Sequence, residues 1–367
     1  MGKAFKECFF CFPRPPMPTL TLPGDAAPKR PFYKVTKNEV KHALAGMSNK
    51  STPGPSGIGY KLVKWAFTCH PEFLVDIYNA TLHLGHHPWT TAKVVILPKP
   101  NKLDYSTAKV YRPVLLLECF GKVLEKIIAN RFTSDSNLHS ILLQSQFGSQ
   151  PYHSATNVCT LLRYKVSTTI NSGRIGGTLL FDISCFFDHL DPSFTAHVLY
   201  HLGIDDHTIA WVKDFMTRRE VTLSFNNHRM DTIQPELGMP QGSPLSPILS
   251  TLVTGPILHL ANTWDDTDLT LYVDDGNIFA SSPTFNATAT KLAKAAHYVF
   301  SWLQDSGFSV DPDKCEIMFF HAQLTWKAQD RNYGTPPTLV TLQLLDDTRI
   351  SIKPATSICY LGVFFTP

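Results

Sequence analysis

Long apolar runs are missing from this chain of 367 residues, although 43% of its residues are apolar. No stretch reaches the ~18 consecutive apolar residues of a membrane-spanning helix, so we predict no membrane span. A secretory signal is missing too, because the apolar stretch at Phe9 and Phe10 is short and prolines follow it. These absences argue against membrane and secreted classes and predict an intracellular chain. Its length and apolar content predict more than one compact lobe.

The chain also has few closely spaced cysteines, and its net charge is small. Eight cysteines are scattered along the chain, and only Cys8 and Cys11 have zinc-knuckle spacing. No second ligand pair follows, and a closed zinc site needs four ligands, so this pair does not make a site by itself. The same holds for the cluster of His83, His86 and His87. Reduced thiols are expected, and the net charge of +3 permits nucleic-acid binding without requiring it.

Turn and cap signals predict how the chain is organised. Seven prolines fall between residues 13 and 31, so residues 1–35 are expected to be weakly ordered. Thr36 and Glu39 form a capping box, which predicts the first helix of a helical extension over residues 36–78. The later elements follow no regular βαβ repeat, which predicts an α+β fold. The predicted strands lie at 94–97, 177–183, 221–225, 269–273, 278–280 and 316–320, and predicted helices start at 60, 120, 191, 207, 248 and 288.

Paired carboxylates mark the most informative segment, Tyr272-Val273-Asp274-Asp275. We expect Asp274 and Asp275 at the tip of a hairpin, with tight-turn chemistry from Asp275-Gly276-Asn277. Asp182 ends another apolar strand. If these strands are neighbours, three acidic side chains converge, as nucleotidyl transfer with two divalent ions ~4 Å apart requires, and Mg²⁺ prefers such oxygen ligands. The alternative interpretations are a solvated turn and a carboxylate that caps the end of a strand.

Further sequence blocks stand in a defined order. The most specific one, Pro240-Gln241-Gly242-Ser243-Pro244-Leu245-Ser246-Pro247, precedes the Tyr-Val-Asp-Asp segment. The other blocks occupy residues 53–58, 97–100, 111–114, 146–148, 181–188, 311–314 and 360–363. Taken together, the ordered blocks between Thr52 and Phe365 resemble the reverse transcriptases of non-long-terminal-repeat (LINE-type) retrotransposons, and most closely those of fungi.

This resemblance implies a right-hand polymerase with fingers and palm, in which helices pack on an antiparallel palm sheet. Residues 79–367 would then be the reverse transcriptase domain, with the fingers over residues 79–172 and the palm, with fingers insertions, over residues 173–367. The helical thumb that follows the palm in relatives is expected to be missing, as is an endonuclease.

The resemblance also implies roles in the chemistry. Asp182 and Asp274 resemble the two principal metal ligands and Asp275 the third carboxylate, which would hold two Mg²⁺ ions, with Mn²⁺ as an alternative. Lys314 resembles a proton donor to the departing pyrophosphate, and simple attraction to phosphate is the other interpretation. The segment that resembles the primer grip, a positioning element, contains Tyr360, Leu361 and Gly362.

Five residues resemble substrate contacts. Phe187 matches the bulky residue that excludes a ribose 2′-hydroxyl and so selects deoxynucleotides. The preceding phenylalanine fits a core position better, because neighbours in an extended segment point opposite ways. Gln241 and Gly242 resemble the loop that packs against the incoming nucleotide and the template. Arg112 and Lys99 resemble residues that hold the triphosphate, although Lys99 also fits an ordinary solvated surface.

The expected function is that of a retrotransposon RNA-directed DNA polymerase, which adds deoxynucleoside triphosphates to a primer 3′-hydroxyl by two-metal nucleotidyl transfer. Its partners would be an RNA template, a DNA primer and deoxynucleotides. An RNA-directed RNA polymerase shares the carboxylates but requires a hydrogen-bonding residue where Phe187 stands. The alternative from another class is a truncated remnant that binds nucleic acid without polymerising. We expect an intracellular location, nuclear during retrotransposition, although no clear targeting signal is present. The sequence predicts no oligomeric state.

Overall fold

The computed structural model describes residues 2–10, 22–100, 102–139, 141–225, 228–322, 333–343 and 348–366. Cys11 and much of the proline-rich stretch therefore lie outside the described residues. Within the described part of the chain, no helix combines the length and the apolar character needed to cross a membrane. The chain divides into two compact units: the first comprises residues 1–17, 24–141 and 185–253, and the second comprises residues 18–23, 142–184 and 254–367.

Helices and strands are numbered in chain order. The helices are α1 (Gly2–Phe10), α2 (Lys37–Ala45), α3 (Tyr60–Cys69), α4 (Pro71–His83), α5 (Cys119–Leu138), α6 (Ala155–Asn171), α7 (Phe186–His189), α8 (Pro192–His201), α9 (Asp206–Thr217), α10 (Ser246–Ala261) and α11 (Phe285–Asp305). The strands are β1 (Thr91–Pro98), β2 (Tyr111–Leu117), β3 (Ile175–Ser184), β4 (Glu220–Phe225), β5 (His228–Ile233), β6 (Thr267–Tyr272), β7 (Asp275–Ser282), β8 (Ser309–Val310), β9 (Glu316–Phe320), β10 (Val340–Gln343), β11 (Arg349–Ile352), β12 (Ile358–Tyr360) and β13 (Val363–Phe365).

A four-stranded sheet in the order β2-β1-β4-β5 organises the first unit. Strand β1 pairs antiparallel with β2 and parallel with β4, so that Val94 lies between Leu115 and Leu223. Alternate residues of β1 are buried, as expected for a strand with one covered face. Helix α1 helps to cover that face, because Phe5 is fully buried and Phe9 nearly so in the same apolar cluster.

Strand β3 is the central strand of the second unit. It pairs antiparallel with β7 on one edge and with β9 and β8 on the other, and β6 extends the sheet beyond β7. Almost every residue of β3 is buried, and helices α6 and α11 contact the strand. Gly177 permits this close packing, since a Cβ atom there would lie 2.8 Å from the Thr288 side chain of α11.

Most of the predicted elements are confirmed. The capping box begins α2: the Glu39 N–H donates to Thr36 Oγ1 at 3.3 Å, and the Thr36 N–H donates to Glu39 Oε2 at 2.8 Å. The predicted position of one turn is wrong. Val273 and Asp274 form the turn, whereas Asp275 already belongs to β7, because it takes part in the ladder there.

The coarse fold class is confirmed as a mixed α/β arrangement, in which most strands pair antiparallel and β1 pairs parallel with β4. The division of the chain at residues 36 and 79 stays a prediction. Helix α1 lies inside the segment 1–35, for which the prolines predict weak order. Apolar contacts with the sheet of the first unit hold this helix, and proline content does not reveal such contacts.

Candidate active site

Two of the three predicted metal-binding carboxylates lie opposite each other on neighbouring strands. Asp182 of β3 pairs with Asp275 of β7 at the end of the ladder that joins these strands. The turn before β7 is bound to β3 as well, because the Ile183 N–H donates to the Asp274 carbonyl at 3.0 Å. The fold therefore brings together three acidic residues that lie far apart in the sequence.

The charges of these carboxylates act on one another. Burial, followed by the negative charges of Asp274 and Asp182, raises the pKa of Asp275 to about 6, although Lys314 opposes the shift. Lys314 Nζ lies 2.6 Å from Asp182 Oδ2 and 3.6 Å from Asp311 Oδ2. Burial disfavours the Lys314 ammonium, but its hydrogen bond to Asp182 and the nearby negative charges outweigh burial and raise the pKa of Lys314. The site thus attracts positive charge.

Divalent ions fit this group of residues. A cation stabilises a carboxylate such as Asp275, whose pKa neighbouring carboxylates raise, and carboxylate oxygens are the ligands that Mg²⁺ takes. Across the described residues, no three His, Cys, Asp or Glu side chains are already gathered as a ligand set. Here the Asp182 carboxylate is paired with Lys314 instead. The chemistry of the donors therefore suits magnesium, although their side chains are not arranged around one point.

The acidic turn itself is strained. Val273 has a φ of +60°, which a β-branched residue rarely adopts, and such strain persists only where surrounding contacts impose it. The Gln-Phe-Gly block supplies these contacts: the Phe147 N–H donates to the Leu271 carbonyl at 2.9 Å. A Cβ atom on Gly148 would lie 2.5 Å from the Val273 nitrogen. This block, which the sequence analysis used only as a family marker, packs directly against the turn.

The predicted primer-grip segment is a hairpin. Leu361 and Gly362, with φ values of +49° and +84°, form the turn between β12 and β13. Tyr360 is only 3% exposed, and its hydroxyl has no hydrogen-bond partner among the described residues. Burial and the charge of Asp275 raise the pKa of Tyr360. Its side chain is therefore a packing element near Asp275, and the more exposed turn residues are better placed to meet a ligand.

The first unit holds the five predicted substrate contacts. Lys99 Nζ donates to the Lys109 carbonyl at 2.9 Å, and Arg112 lies in β2 opposite Leu97 and is exposed. Phe187 is half-buried. Its neighbour Phe186 is 3% exposed, which confirms the core position predicted for it, but the reason given was wrong, because the two rings lie in the short helix α7 and not in an extended segment.

The Gln241-Gly242 loop lies against strand β2. The Leu115 N–H donates to the Gln241 carbonyl at 2.8 Å. Gly242 has a φ of +131°, and a Cβ atom there would lie 2.6 Å from the Leu115 carbonyl oxygen. Only glycine therefore fits this position. The close neighbour is strand β2, whereas the predicted approach to the nucleotide and the template stays a prediction.

A family model described as "Reverse transcriptase (RNA-dependent DNA polymerase)" matches residues 97–365, a span that includes every predicted site residue. The chain belongs to the reverse transcriptase family. Membership explains why the acidic turn, the Pro-Gln-Gly loop and the Tyr-Leu-Gly hairpin occur together in one chain and in this order.

Relatives of this reverse transcriptase come from mobile elements. The "RNA-directed DNA polymerase from mobile element jockey" of Drosophila melanogaster is 24% identical over 300 residues, which cover 79% of this chain and 32% of the relative. The "Probable RNA-directed DNA polymerase from transposon BS" of the same species is 24% identical over 299 residues, or 77% of this chain and 32% of the relative. The "Retrovirus-related Pol polyprotein from type-2 retrotransposable element R2DM" is 22% identical over 345 residues, or 93% of this chain and 31% of the relative.

These matches confirm the predicted resemblance to reverse transcriptases of non-long-terminal-repeat elements. The narrower likeness to fungal elements stays a prediction. The chain spans about a third of the length of the curated relatives it matches.

Two buried glutamates of the reverse transcriptase, which the sequence analysis missed, hold loops of the first unit. Glu125 of α5 is 1% exposed and accepts a hydrogen bond from Ser243 Oγ at 2.5 Å. Glu118 accepts hydrogen bonds from both the N–H and the hydroxyl of Ser56. The available signal was a charged residue inside the apolar stripe of α5, directly after Leu124.

The histidine cluster has structural contacts. His86 Nδ1 lies 3.0 Å from Asp214 Oδ2, and His87 Nε2 lies 3.0 Å from the Trp89 carbonyl oxygen. Burial lowers the pKa of His87 to about 4. His86 and the Nε2 atom of His87 therefore have protein partners, whereas His87 Nδ1 is buried without a hydrogen-bond partner among the described residues.

Proposed function

We propose that this chain is the polymerising core of a retrotransposon reverse transcriptase, which copies an RNA template into DNA from a primer 3′-hydroxyl. The observation that carries the proposal is the pairing of Asp182 with Asp275 on β3 and β7, with Asp274 in the adjoining turn. In this proposal the sheet around β3 is the palm, and the sheet around β1 is the core of the fingers.

The acidic residues have a defined task in this reaction. Asp182, Asp274 and Asp275 would hold two Mg²⁺ ions, or Mn²⁺ ions, which when bound neutralise charge on the attacking and leaving oxygens. The primer 3′-hydroxyl loses its proton to solvent water, and its oxygen forms a bond to the α-phosphorus while the bond from that phosphorus to the oxygen bridging to the β-phosphate breaks. Lys314, protonated beside Asp182, donates its proton to the departing pyrophosphate.

The remaining predicted contacts bind and select the substrates. Lys99 and Arg112 hold the triphosphate, and the ring of Phe187 leaves no room for a ribose 2′-hydroxyl. Gln241 contacts the incoming nucleotide, and the Leu361-Gly362 turn positions the primer end. The partners are an RNA template, a DNA primer and deoxynucleotides, and we place the reaction in the nucleus, where a retrotransposon meets its target DNA.

A primer-extension assay on an RNA template with Mg²⁺ tests this function. Asp274→Asn should lower the rate of extension roughly 10³-fold, because it removes a charge at the reaction centre. Asp305→Asn is the matched control, since it makes the same change at an exposed residue at the end of α11. Template binding without any extension by the unmodified chain would support the non-catalytic remnant instead.

The sugar gate distinguishes a DNA polymerase from an RNA polymerase. Phe187→Ala should raise the ratio of ribonucleotide to deoxynucleotide incorporation by roughly 100-fold, because the steric block to one hydroxyl is lost. Phe187→Leu, which keeps more of the bulk, should have a smaller effect. An unchanged ratio in the alanine variant would refute the gate and favour the RNA-polymerase alternative.

A further inference from the structure

Helix α7 and the loop before α10 pack backbone against backbone in the first unit. The Met239 N–H donates to the Phe187 carbonyl at 2.6 Å, and the Gly238 N–H donates to the Leu190 carbonyl at 2.8 Å. A Cβ atom on Gly238 would lie 2.7–2.9 Å from three backbone atoms of Asp188. The segment with the proposed gate and the loop with Gln241 are therefore fixed to each other.

One side chain extends this contact to the functional end of the loop. Gln241 Nε2 donates to both carboxylate oxygens of Asp188, at 3.3 and 3.4 Å. Burial raises the pKa of Asp188 to about 7, although the hydrogen bond from Gln241 opposes the shift. Above this pH the ionised carboxylate only accepts hydrogen bonds, so it can hold the NH₂ end of the amide and not the carbonyl end. Asp188 thus determines which way the Gln241 amide faces, and it leaves the amide oxygen directed away from itself.

A buried arginine holds the base of the same loop. Arg219 is 5% exposed, and it donates to the carbonyls of Leu237 and Gly238 at 3.0 and 2.6 Å. These carbonyls belong to irregular backbone, where partners from side chains replace those of a helix or a sheet. Asp188 also supplies negative charge that favours the buried guanidinium. The two residues therefore stabilise one arrangement of the loop from its two ends.

We propose that Asp188 is a positioning residue for nucleotide binding: its carboxylate holds the Gln241 amide in one orientation next to Phe187, and Arg219 holds the loop in place. The inference rests on the proposed function, because Gln241 meets a nucleotide only if this chain binds one. Asp188 itself does not touch the reacting atoms in this proposal and acts through Gln241.

Single-nucleotide extension kinetics test the proposal with a double-mutant cycle. Asp188→Ala should raise the KM for the deoxynucleotide roughly 5- to 10-fold, as expected for the loss of one hydrogen bond to a charged group, while kcat changes less than about twofold. Asp188→Asn should restore most of the loss, because its Oδ1 still accepts the Gln241 N–H. In a Gln241→Ala background, Asp188→Ala should have no further effect on KM.

Several outcomes would overturn the proposal. Additive effects of Asp188→Ala and Gln241→Ala would show that the two residues act separately. An equal rise in the KM for the deoxynucleotide in Asp188→Ala and Asp188→Asn would show that the charge of Asp188 matters and that its hydrogen bond to Gln241 does not. Thermal unfolding of each variant reports whether it folds, and Asp188→Ser, small and polar, replaces the alanine variant if that one does not.

A second readout keeps this inference apart from the proposed function. If the unmodified chain never extends a primer, the polymerase assignment fails, but the contact can still be tested by the fluorescence anisotropy of a labelled deoxynucleotide. Weaker binding by Asp188→Ala, restored in Asp188→Asn, supports the positioning role. Equal binding by the alanine variant and the unmodified chain refutes it.

Discussion

The two units of this reverse transcriptase hold their functional residues in different ways. In the second unit, backbone pairing fixes the acidic residues, because Asp182 and Asp275 are partners in a ladder and the turn is bound to β3. In the first unit, backbone hydrogen bonds to β2 and α7 also hold the loop that carries Gln241, but two buried ionisable side chains, Glu125 and Arg219, bind it in addition. The contrast follows from local structure, since an irregular loop has no ladder to satisfy its backbone groups.

This contrast has a consequence for mutation. Where the backbone positions the site, removal of a side-chain charge alters the chemistry and leaves the geometry in place. Where buried charges position it, removal of one charge leaves polar groups unsatisfied and moves the loop. Substitutions of buried ionisable side chains should therefore damage the first unit. Crowding of the backbone should displace the acidic turn of the second unit, and it should also displace the loop of the first unit if it occurs at Gly238 or Gly242.

Among the tests of this comparison, the largest effect is expected for Gly148→Ala in the second unit. The added Cβ atom would lie 2.5 Å from the Val273 nitrogen, so the acidic turn must shift. We expect primer extension to fall roughly 100-fold, since small misplacements of reacting groups cost about that much. Extension rates and thermal unfolding, measured together, separate displacement of the turn from loss of the fold.

Gly255→Ala is the matched control for this change. A Cβ atom there would meet only the Leu142 side chain, at 4.0 Å, so we expect activity near that of the unmodified chain. If Gly148→Ala were equally harmless, packing of the Gln-Phe-Gly block would not position the acidic turn. The comparison between the two units would then lose its main support.

A smaller effect is expected for Glu125 in the first unit, and it depends on pH. Burial raises the pKa of Glu125 from its ordinary value of 4.5 to about 7, despite the hydrogen bond from Ser243. Between these values the folded state holds a proton that the unfolded state has lost. The free energy of unfolding should therefore fall as the pH rises from 4.5 to 7, by up to about 3 kcal/mol.

Glu125→Gln tests this expectation, because it keeps a hydrogen-bond acceptor for Ser243 and removes the titration. Urea unfolding between pH 4.5 and 8 should show a weaker pH dependence for this variant than for the unmodified chain. Glu220→Gln makes the same change at an exposed position of the first unit and should leave the dependence unaltered. Identical curves for all three proteins would mean that Glu125 does not titrate in this range.

Sequence reasoning predicted the acidic strands of the second unit better than the residues that support the loop of the first unit. Strand periodicity located β3 and β9, and the ordered family blocks identified Asp182 and Asp275 before the ladder between them was known. The turn was predicted at Asp275-Gly276-Asn277, but it lies before these residues, at Val273 and Asp274. The predicted segment has the composition of a turn and yet pairs with β6. Composition gives no information on where pairing begins, since that depends on the partner strand.

The supporting residues of the first unit could not be found in this way. Glu125, Arg219 and Asp188 matter through partners that are distant in the chain, such as Ser243 and Gln241. A single sequence shows a charge in an apolar stripe but does not show which loop satisfies it. Helix α1 was missed for a related reason. Its apolar residues pack against residues of β1, β2 and β4, which are distant in the chain.

The smallest expected effect concerns the packing of α1 against the sheet of the first unit. Cys8 is half-buried, and burial raises the pKa of its thiol, with a smaller opposing contribution from Lys109. Cys69 is exposed. Iodoacetamide should therefore alkylate Cys8 several-fold more slowly than Cys69, which mass spectrometry of the peptides measures. Phe5→Asp places an unpaired charge in the apolar cluster, so it should release α1 and remove the difference between the two rates.

Lys6→Asp introduces the same carboxylate at an exposed position of α1, and the alkylation of Cys8 should stay slow in this variant. Rapid alkylation of Cys8 in the unmodified chain would mean that α1 does not cover the sheet. Weak order over residues 1–35, as the prolines predict, would then be the better description. In that case another segment would have to cover the face of β1 on which Val94 lies. The residues of that face are apolar, and their exposure to water would cost free energy.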